Sequence, residues 1–110
     1  MRKLPRTFEK FRGQNPAVVA AYENLGKECA SAGPLDARTR ELVKLGMAIG
    51  GCLEGAVHSH VRRAIEAGAT PEQVRHVVAL AVPTMGFPTA AAAFTWVEDV
   101  LGGARKRNRA

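Results

Sequence analysis

The side chains best suited to proton transfer lie in one predicted helix in the middle of the chain. His60 recurs at helical spacing with Leu53, Val57 and Ala64, so it would share their apolar, inward face. Spacing alone favours a histidine that is hydrogen-bonded within the core. The functional alternative is a general acid or base, because histidine exchanges a proton near neutral pH.

The same helix carries a pattern that could bind a metal ion. Glu54 and His58 are four residues apart and share a helix face, which suits either two metal ligands or an ordinary side-chain hydrogen bond. His58 and His60 are two residues apart and diverge by about 200° on a regular helix. They cannot both bind one ion from that helix. Glu54, His58 and His60 are therefore weak candidates, and no metal centre is favoured.

The two cysteines, Cys29 and Cys52, are too few for a disulfide scaffold and are expected to be free thiols. Cys52 is best explained as a small apolar residue at a helix junction.

The N-terminus has no apolar stretch after its basic residues, so no signal peptide is expected. The longest strictly apolar run, 77–82, is far shorter than the roughly 18 residues of a membrane span. A cytoplasmic protein is predicted.

Length and charge restrict the domain organisation and the partners. With 110 residues, 46% of them hydrophobic, the chain is expected to form one globular domain. The formal charge of +6 is concentrated at the ends, because 1–12 and 105–109 each carry a net charge of +4 and the remainder is slightly acidic. We predict a basic N-terminal segment over 1–14 and a basic C-terminal tail over 104–110. The sequence does not favour nucleic acid as a partner, since no aromatic residues are interleaved with these charges.

Capping residues, prolines and glycines divide the body of the chain into helices, and no alternating β pattern of useful length is present. The expected fold is an all-α, compact antiparallel bundle of about five to six helices, which oligomerises. The predicted helices run from Pro16 to about Ala30, from the Asp36 cap to Gly50–Gly51, from Leu53 to about Ala67, from the Thr70–Gln73 capping box to Pro83, and from the Met85–Pro88 connector to about Leu101.

Three stretches together resemble a known family. The segments 41–45 (ELVKL), 60–64 (HVRRA) and 67–74 (AGATPEQV), followed by 81–88 (AVPTMGFP) and an alanine-rich helix, are similar to the carboxymuconolactone decarboxylase and alkylhydroperoxidase AhpD-like family. The resemblance covers about residues 36–101, within an AhpD-like domain predicted over 15–103. It implies an all-α fold that assembles into trimers or hexamers.

The resemblance also implies two different chemistries. The AhpD-like peroxidases use the order Glu-x11-Cys-x2-Cys-x3-His as a proton relay that activates a thiolate. Glu41 and His60 match the outer positions of that motif, but Leu53 and Ala56 occupy the two cysteine positions. Cys52 lies one residue before the first of them, which is about 100° of rotation on a helix. Peroxidase chemistry is therefore expected to be absent or much reduced.

The decarboxylase branch requires neither metal nor organic cofactor, and the resemblance implies acid/base groups that protonate a carbanion as carbon dioxide leaves. His60 would be the proton donor, with Glu41 as its partner, while Arg40, Arg62 or Arg63 could hold a carboxylate. The predicted function is therefore cofactor-free acid/base chemistry on a small organic acid or lactone. Two alternatives stay open: a thiol-dependent peroxidase acting through Cys52, and a non-catalytic protein that binds a metal or ligand.

Overall fold

The computed structural model describes residues 6–102, and every regular element in that range is an α-helix. The all-α prediction is therefore confirmed. No helix in this range is both long enough and apolar enough to span a membrane. The predicted tail over 104–110 and the first five residues lie outside the described range. The six helices are α1 (Arg6–Gln14), α2 (Pro16–Ala30), α3 (Ala37–Gly50), α4 (Glu54–Glu66), α5 (Pro71–Met85) and α6 (Phe87–Leu101).

The first unit of the chain extends to Pro34 and contains α1 and α2. Helix α1 has no counterpart in the sequence analysis, because its charge masked the short apolar spacing of its two phenylalanines. Within this unit, Arg12 bonds to Glu23 across the two helices at 3.0 Å and lies 5.0 Å from the centre of the Phe8 ring. A cation shared between a carboxylate and a ring stabilises such a short, highly charged helix.

The second unit begins at Leu35 and contains α3 to α6. Helix α3 packs against α4 and α5, and α6 packs against the same two helices, so the four surround one apolar core. The core is built from valine, alanine, leucine and isoleucine, which agrees with the scarcity of aromatic residues in the sequence. Its largest fully buried side chains are Leu45, Ile49, Val57, Val61, Val74 and Val97.

Two helices of this unit begin at the caps predicted from sequence. The Asp36 carboxylate accepts the backbone N–H of Thr39 at 2.8 Å, and this hydrogen bond holds the pKa of Asp36 below its ordinary value. At the start of α5, Thr70 and Gln73 form a reciprocal capping box, with distances of 3.1 Å and 3.0 Å. Both helix starts are thus determined by local hydrogen bonds.

The prediction that α5 ends at Pro83 is wrong, because the helix continues to Met85. A proline removes one backbone N–H donor, but the turn that contains Pro83 is still closed by the hydrogen bond from the N–H of Gly86 to the carbonyl of Val82, at 3.0 Å. The hydroxyl of Thr84 donates to the carbonyl of Leu80 at 2.8 Å and adds a bond to the same turn. The expected four-residue connector shrinks to Gly86, whose φ of 95° and ψ of 153° strongly favour glycine.

An ion pair between α5 and α6 gives the fold a pH-dependent contribution to stability. Arg75 donates two hydrogen bonds to Glu98, at 2.9 Å and 3.1 Å, and these bonds hold the pKa of Glu98 below its ordinary value. A lowered carboxyl pKa stabilises the fold above the unfolded-state pKa, and that stabilisation is lost as pH falls through the folded-state pKa. We expect Glu98→Gln to lower the melting temperature slightly at pH 7 and to make little difference once the pH falls below the lowered pKa of Glu98. A thermal melt series across pH checks this, and an equal difference at every pH would contradict it.

Candidate functional site

One pair of acid/base side chains in the second unit joins α3 to α4. Nδ1 of His60 lies 2.7 Å from Oε1 of Glu41. Both side chains are largely buried, with 17% and 15% of their surface exposed, so the pair is shielded but not sealed from solvent. When Glu41 is ionised, the ring donates its Nδ1–H to the carboxylate. This bond determines the tautomer and the orientation of the ring, and it leaves Nε2 for a proton exchange.

The hairpin of α3 and α4 positions this pair. Leu45 follows Glu41 by one helical turn, and Val57 precedes His60 by about one turn; both are fully buried. Because the two helices run antiparallel, the early part of α3 faces the middle of α4. Apolar packing on both sides of the pair therefore determines how closely the two polar side chains approach.

A cation beside the pair was not singled out from the sequence. Nζ of Lys44 lies 3.9 Å from Oε2 of Glu41, and its side chain is 39% exposed. The three-residue spacing of Glu41 and Lys44 on one helix was the available signal. Arg40, by contrast, uses its guanidinium to bond the carbonyl of Leu35 at 2.6 Å. Lys44 is thus a charged group placed against the pair, while Arg62 and Arg63 lie half-buried on α4.

Cys52 is exposed and lies in the turn before α4, not on the helix. The N–H of Leu53 bonds to the carbonyl of Ala48, and the N–H of Cys52 to that of Ile49, both at 3.0 Å. These two bonds form a Schellman motif at the end of α3, with Cys52 in its left-handed position at φ 56°. The direction of the Cys52 side chain is therefore not determined by the rotation of α4, because the helix begins two residues later.

Glycine is the usual residue at that left-handed position, and Gly68 holds the equivalent place after α4 at φ 101°. A side chain there strains the backbone by roughly 1–2 kcal/mol. We expect Cys52→Gly to raise the free energy of unfolding by about 0.5–1 kcal/mol. The gain is smaller than the strain that is relieved, because glycine also has greater conformational freedom in the unfolded chain. Chemical denaturation measures the change. Cys52→Ala is the matched control, since it removes the thiol and keeps the strain; an equal gain from both variants would contradict the argument.

The histidine two residues before His60 has a different partner. Nε2 of His58 lies 3.1 Å from Oδ2 of Asp99, near the end of α6. Glu54, on the same face of α4, brings a carboxylate oxygen close to them, so that the ligand atoms of all three side chains lie within 4.8 Å of one another. His58 and His60 thus bond to different helices on different sides of α4. Asp99 was missed because its contact depends on how α6 packs.

An apolar groove lies between α3 and α5, away from both histidines of α4. Its volume is about 470 Å³, and its lining does not include Glu41 or His60. His76, which had no evident partner in sequence, lies in its wall. The groove therefore does not contain the paired acid/base groups. The other lining residues are Thr39, Leu42, Val43, Gly46, Ile49, Gln73, Val77, Leu80, Ala81, Thr84 and Met85.

The profile of the carboxymuconolactone decarboxylase family matches residues 16–99, which include α2 to α5 and most of α6. Among solved structures, the chain is similar to the apo form of a carboxymuconolactone decarboxylase family protein from Legionella pneumophila. The two share 26% sequence identity and a TM-score of 0.71, over 86% of this chain and 87% of the other.

Two relatives of similar sequence are uncharacterised proteins. One, from Haemophilus influenzae, is 33% identical over 61 residues, which are 56% of this chain and 54% of that protein. The match therefore spans about half the length of this relative. The other, from Cupriavidus necator, is 27% identical over 88 residues, which are 80% of this chain and 78% of that protein.

Proposed function

The chain belongs to the carboxymuconolactone decarboxylase family, and we propose that it catalyses acid/base chemistry, without an organic cofactor, on a small carboxylated acid or lactone. The observation that carries this proposal is the 2.7 Å contact between His60 and Glu41. A histidine whose Nδ1 is held by a carboxylate presents Nε2 in a defined direction, which is the arrangement that general acid/base catalysis uses.

In the proposed reaction, His60 is the proton donor and Glu41 the positioning residue. The bond between the substrate carbon and its carboxylate breaks, and the electron pair stays on that carbon as an enolate or carbanion. Nε2 of protonated His60 then gives its proton to the carbon as carbon dioxide leaves. Solvent returns a proton to Nε2 and restores the catalyst, so that no oxidant or reductant is consumed.

Lys44 is the proposed contact for the negative charge of the substrate. Its ammonium group lies beside Glu41, is partly exposed and forms only a loose ion pair at 3.9 Å. A lysine in such a position attracts a carboxylate and stabilises the charge that develops on an enolate. The proposed substrate is therefore anionic and small, since the pair lies at a helix interface and not in the larger groove.

The first test is a search for carbon dioxide release from a panel of carboxylated lactones and unsaturated small acids, with carboxymuconolactone included. Product formed in deuterium oxide should carry one deuterium at the carbon that lost the carboxylate. Release of carbon dioxide with that label would support the proposal. A panel that yields no turnover, and no ligand-induced change in the NMR signals of His60, would count against it.

Thiol chemistry at Cys52 is the second candidate, because an exposed thiol is accessible to peroxide. A peroxide would oxidise the thiolate to a sulfenic acid, with the peroxide reduced to an alcohol or water, and a second thiol would be needed to complete the cycle. The two family cysteine positions hold Leu53 and Ala56, so α4 has no resolving thiol. We expect slow thiol loss with peroxide; rapid loss that disappears in Cys52→Ser would favour this candidate instead.

We also propose that the chain acts as a homo-oligomer in the cytoplasm. Exposed apolar side chains support the first part, because Val43, Leu80 and Met85 of the groove are 42%, 55% and 38% exposed. Contiguous apolar surface of this kind is commonly covered by another subunit. Size-exclusion chromatography with light scattering gives the number of subunits. We expect a trimer or hexamer, and a monomer would contradict the proposal.

A further inference from the structure

A cluster of three potential metal ligands lies where the start of α4 meets the end of α6. Glu54 and His58 project from the same face of α4, and Asp99 comes from α6. The cluster therefore combines one imidazole with two carboxylates and joins two helices that are far apart in sequence. It is separate from the proposed catalytic pair, which links α4 to α3.

The spacing of these atoms suits a transition ion. Two ligands about 2.0–2.1 Å from a tetrahedral zinc ion lie roughly 3.3 Å from each other. Nε2 of His58 and Oδ2 of Asp99 are 3.1 Å apart, and all three ligand atoms lie within 4.8 Å of one another. Glu54 is an exposed side chain, so a small rotation can bring its carboxylate to the same ion.

The donor set decides which ions are suitable. Calcium and magnesium are bound through oxygen ligands alone, whereas an imidazole with carboxylates suits zinc, cobalt and related divalent ions. Three protein ligands leave at least one coordination position for water or a small anion. Two carboxylates close to one imidazole also bring negative charge together, which a divalent cation neutralises.

We propose that Glu54, His58 and Asp99 form a binding site for a divalent transition ion of the zinc class. The bound ion joins the first two turns of α4 to the last turn of α6. The proposal does not rest on the proposed catalytic function, since neither Glu41 nor His60 contributes a ligand. His60, named in the sequence analysis as a weak ligand candidate, is replaced by Asp99.

The test is a titration of the full chain with Co²⁺, followed by competition with Zn²⁺. We expect one ion per chain, visible absorption bands of a low-coordinate cobalt site, and a melting temperature that rises by several degrees. Asp99→Asn and His58→Ala should each weaken cobalt binding by at least about tenfold. Even the loss of a residue that only supports a metal ligand lowers metal affinity by about that factor.

His76→Ala is the matched control, because it removes an exposed histidine from α5 and should leave cobalt affinity unchanged. Asp99→Asn keeps the shape of the side chain. If this variant loses cobalt binding while its circular dichroism spectrum is unchanged, Asp99 is identified as a metal ligand. The proposal is overturned if binding does not saturate near one ion, or if both site variants bind as the wild type does. It is also overturned if a thiolate-to-cobalt charge-transfer band shows that Cys29 or Cys52 holds the ion.

Discussion

Replacing His60 by alanine is expected to lower the rate of substrate decarboxylation by about 10²–10⁴-fold, the usual contribution of a positioned general acid. The loss should appear in kcat more than in KM, because the proton is transferred only as the carbon–carbon bond breaks. Steady-state kinetics on whichever substrate releases carbon dioxide measures the effect. Because 17% of the His60 side chain is exposed, the fold is expected to tolerate the change.

Glu41→Gln separates positioning from proton donation. The amide can still accept the Nδ1–H of His60, so the ring stays oriented, but the negative charge 2.7 Å away is lost. We expect a smaller fall in kcat than for His60→Ala with KM little changed, a separation that a purely structural role would not produce. His76→Ala is the control for removing a histidine elsewhere. If His60→Ala turns over substrate at the wild-type rate, the assignment of the pair as catalytic is wrong.

The helices were predictable from sequence where local hydrogen bonds determine them. Asp36 and the Thr70–Gln73 box begin their helices in the structure as the capping rules require. The end of α5 was predicted two residues too early, because a proline within a helical pattern does not specify how far the helix continues after it. The sequence placed Cys52 at a helix junction, but its left-handed backbone could not be predicted, because a non-glycine residue in a Schellman position leaves no sequence signal of its own.

Contacts between helices could not be derived in the same way. Spacing places Glu54 and His58 on one face of α4, but only the packing of α6 adds Asp99 to them. The pairing of Glu41 with His60 was implied by the family resemblance, since nineteen residues across a turn specify no distance. Helical periodicity relates residues within one helix. The geometry of a site formed between two helices also depends on the angle and the distance between those helices.

Leu45→Ala is the second substitution with a large expected effect, because it removes a fully buried side chain from the centre of the four-helix unit. Truncating a buried leucine to alanine lowers the free energy of unfolding by about 2–5 kcal/mol, through lost burial and the cavity left behind. The free energy of unfolding of a native domain is about 5–15 kcal/mol in total, so the variant should be only marginally stable. The midpoint of urea denaturation, measured at one fixed protein concentration, gives the change.

Met47→Ala on the same helix is the matched control, because its side chain is 69% exposed and should change stability by less than about 0.5 kcal/mol. The comparison also tests how the catalytic pair is held. Leu45 lies one turn from Glu41, so a cavity there lets α3 shift against α4 and lengthens the contact with His60. We therefore expect Leu45→Ala to lose turnover even at low temperature, where it is still folded. Equal stability losses in the two variants would show that the apolar core between α3 and α4 does not hold the hairpin, and full turnover in folded Leu45→Ala would show that the pair is positioned by other contacts.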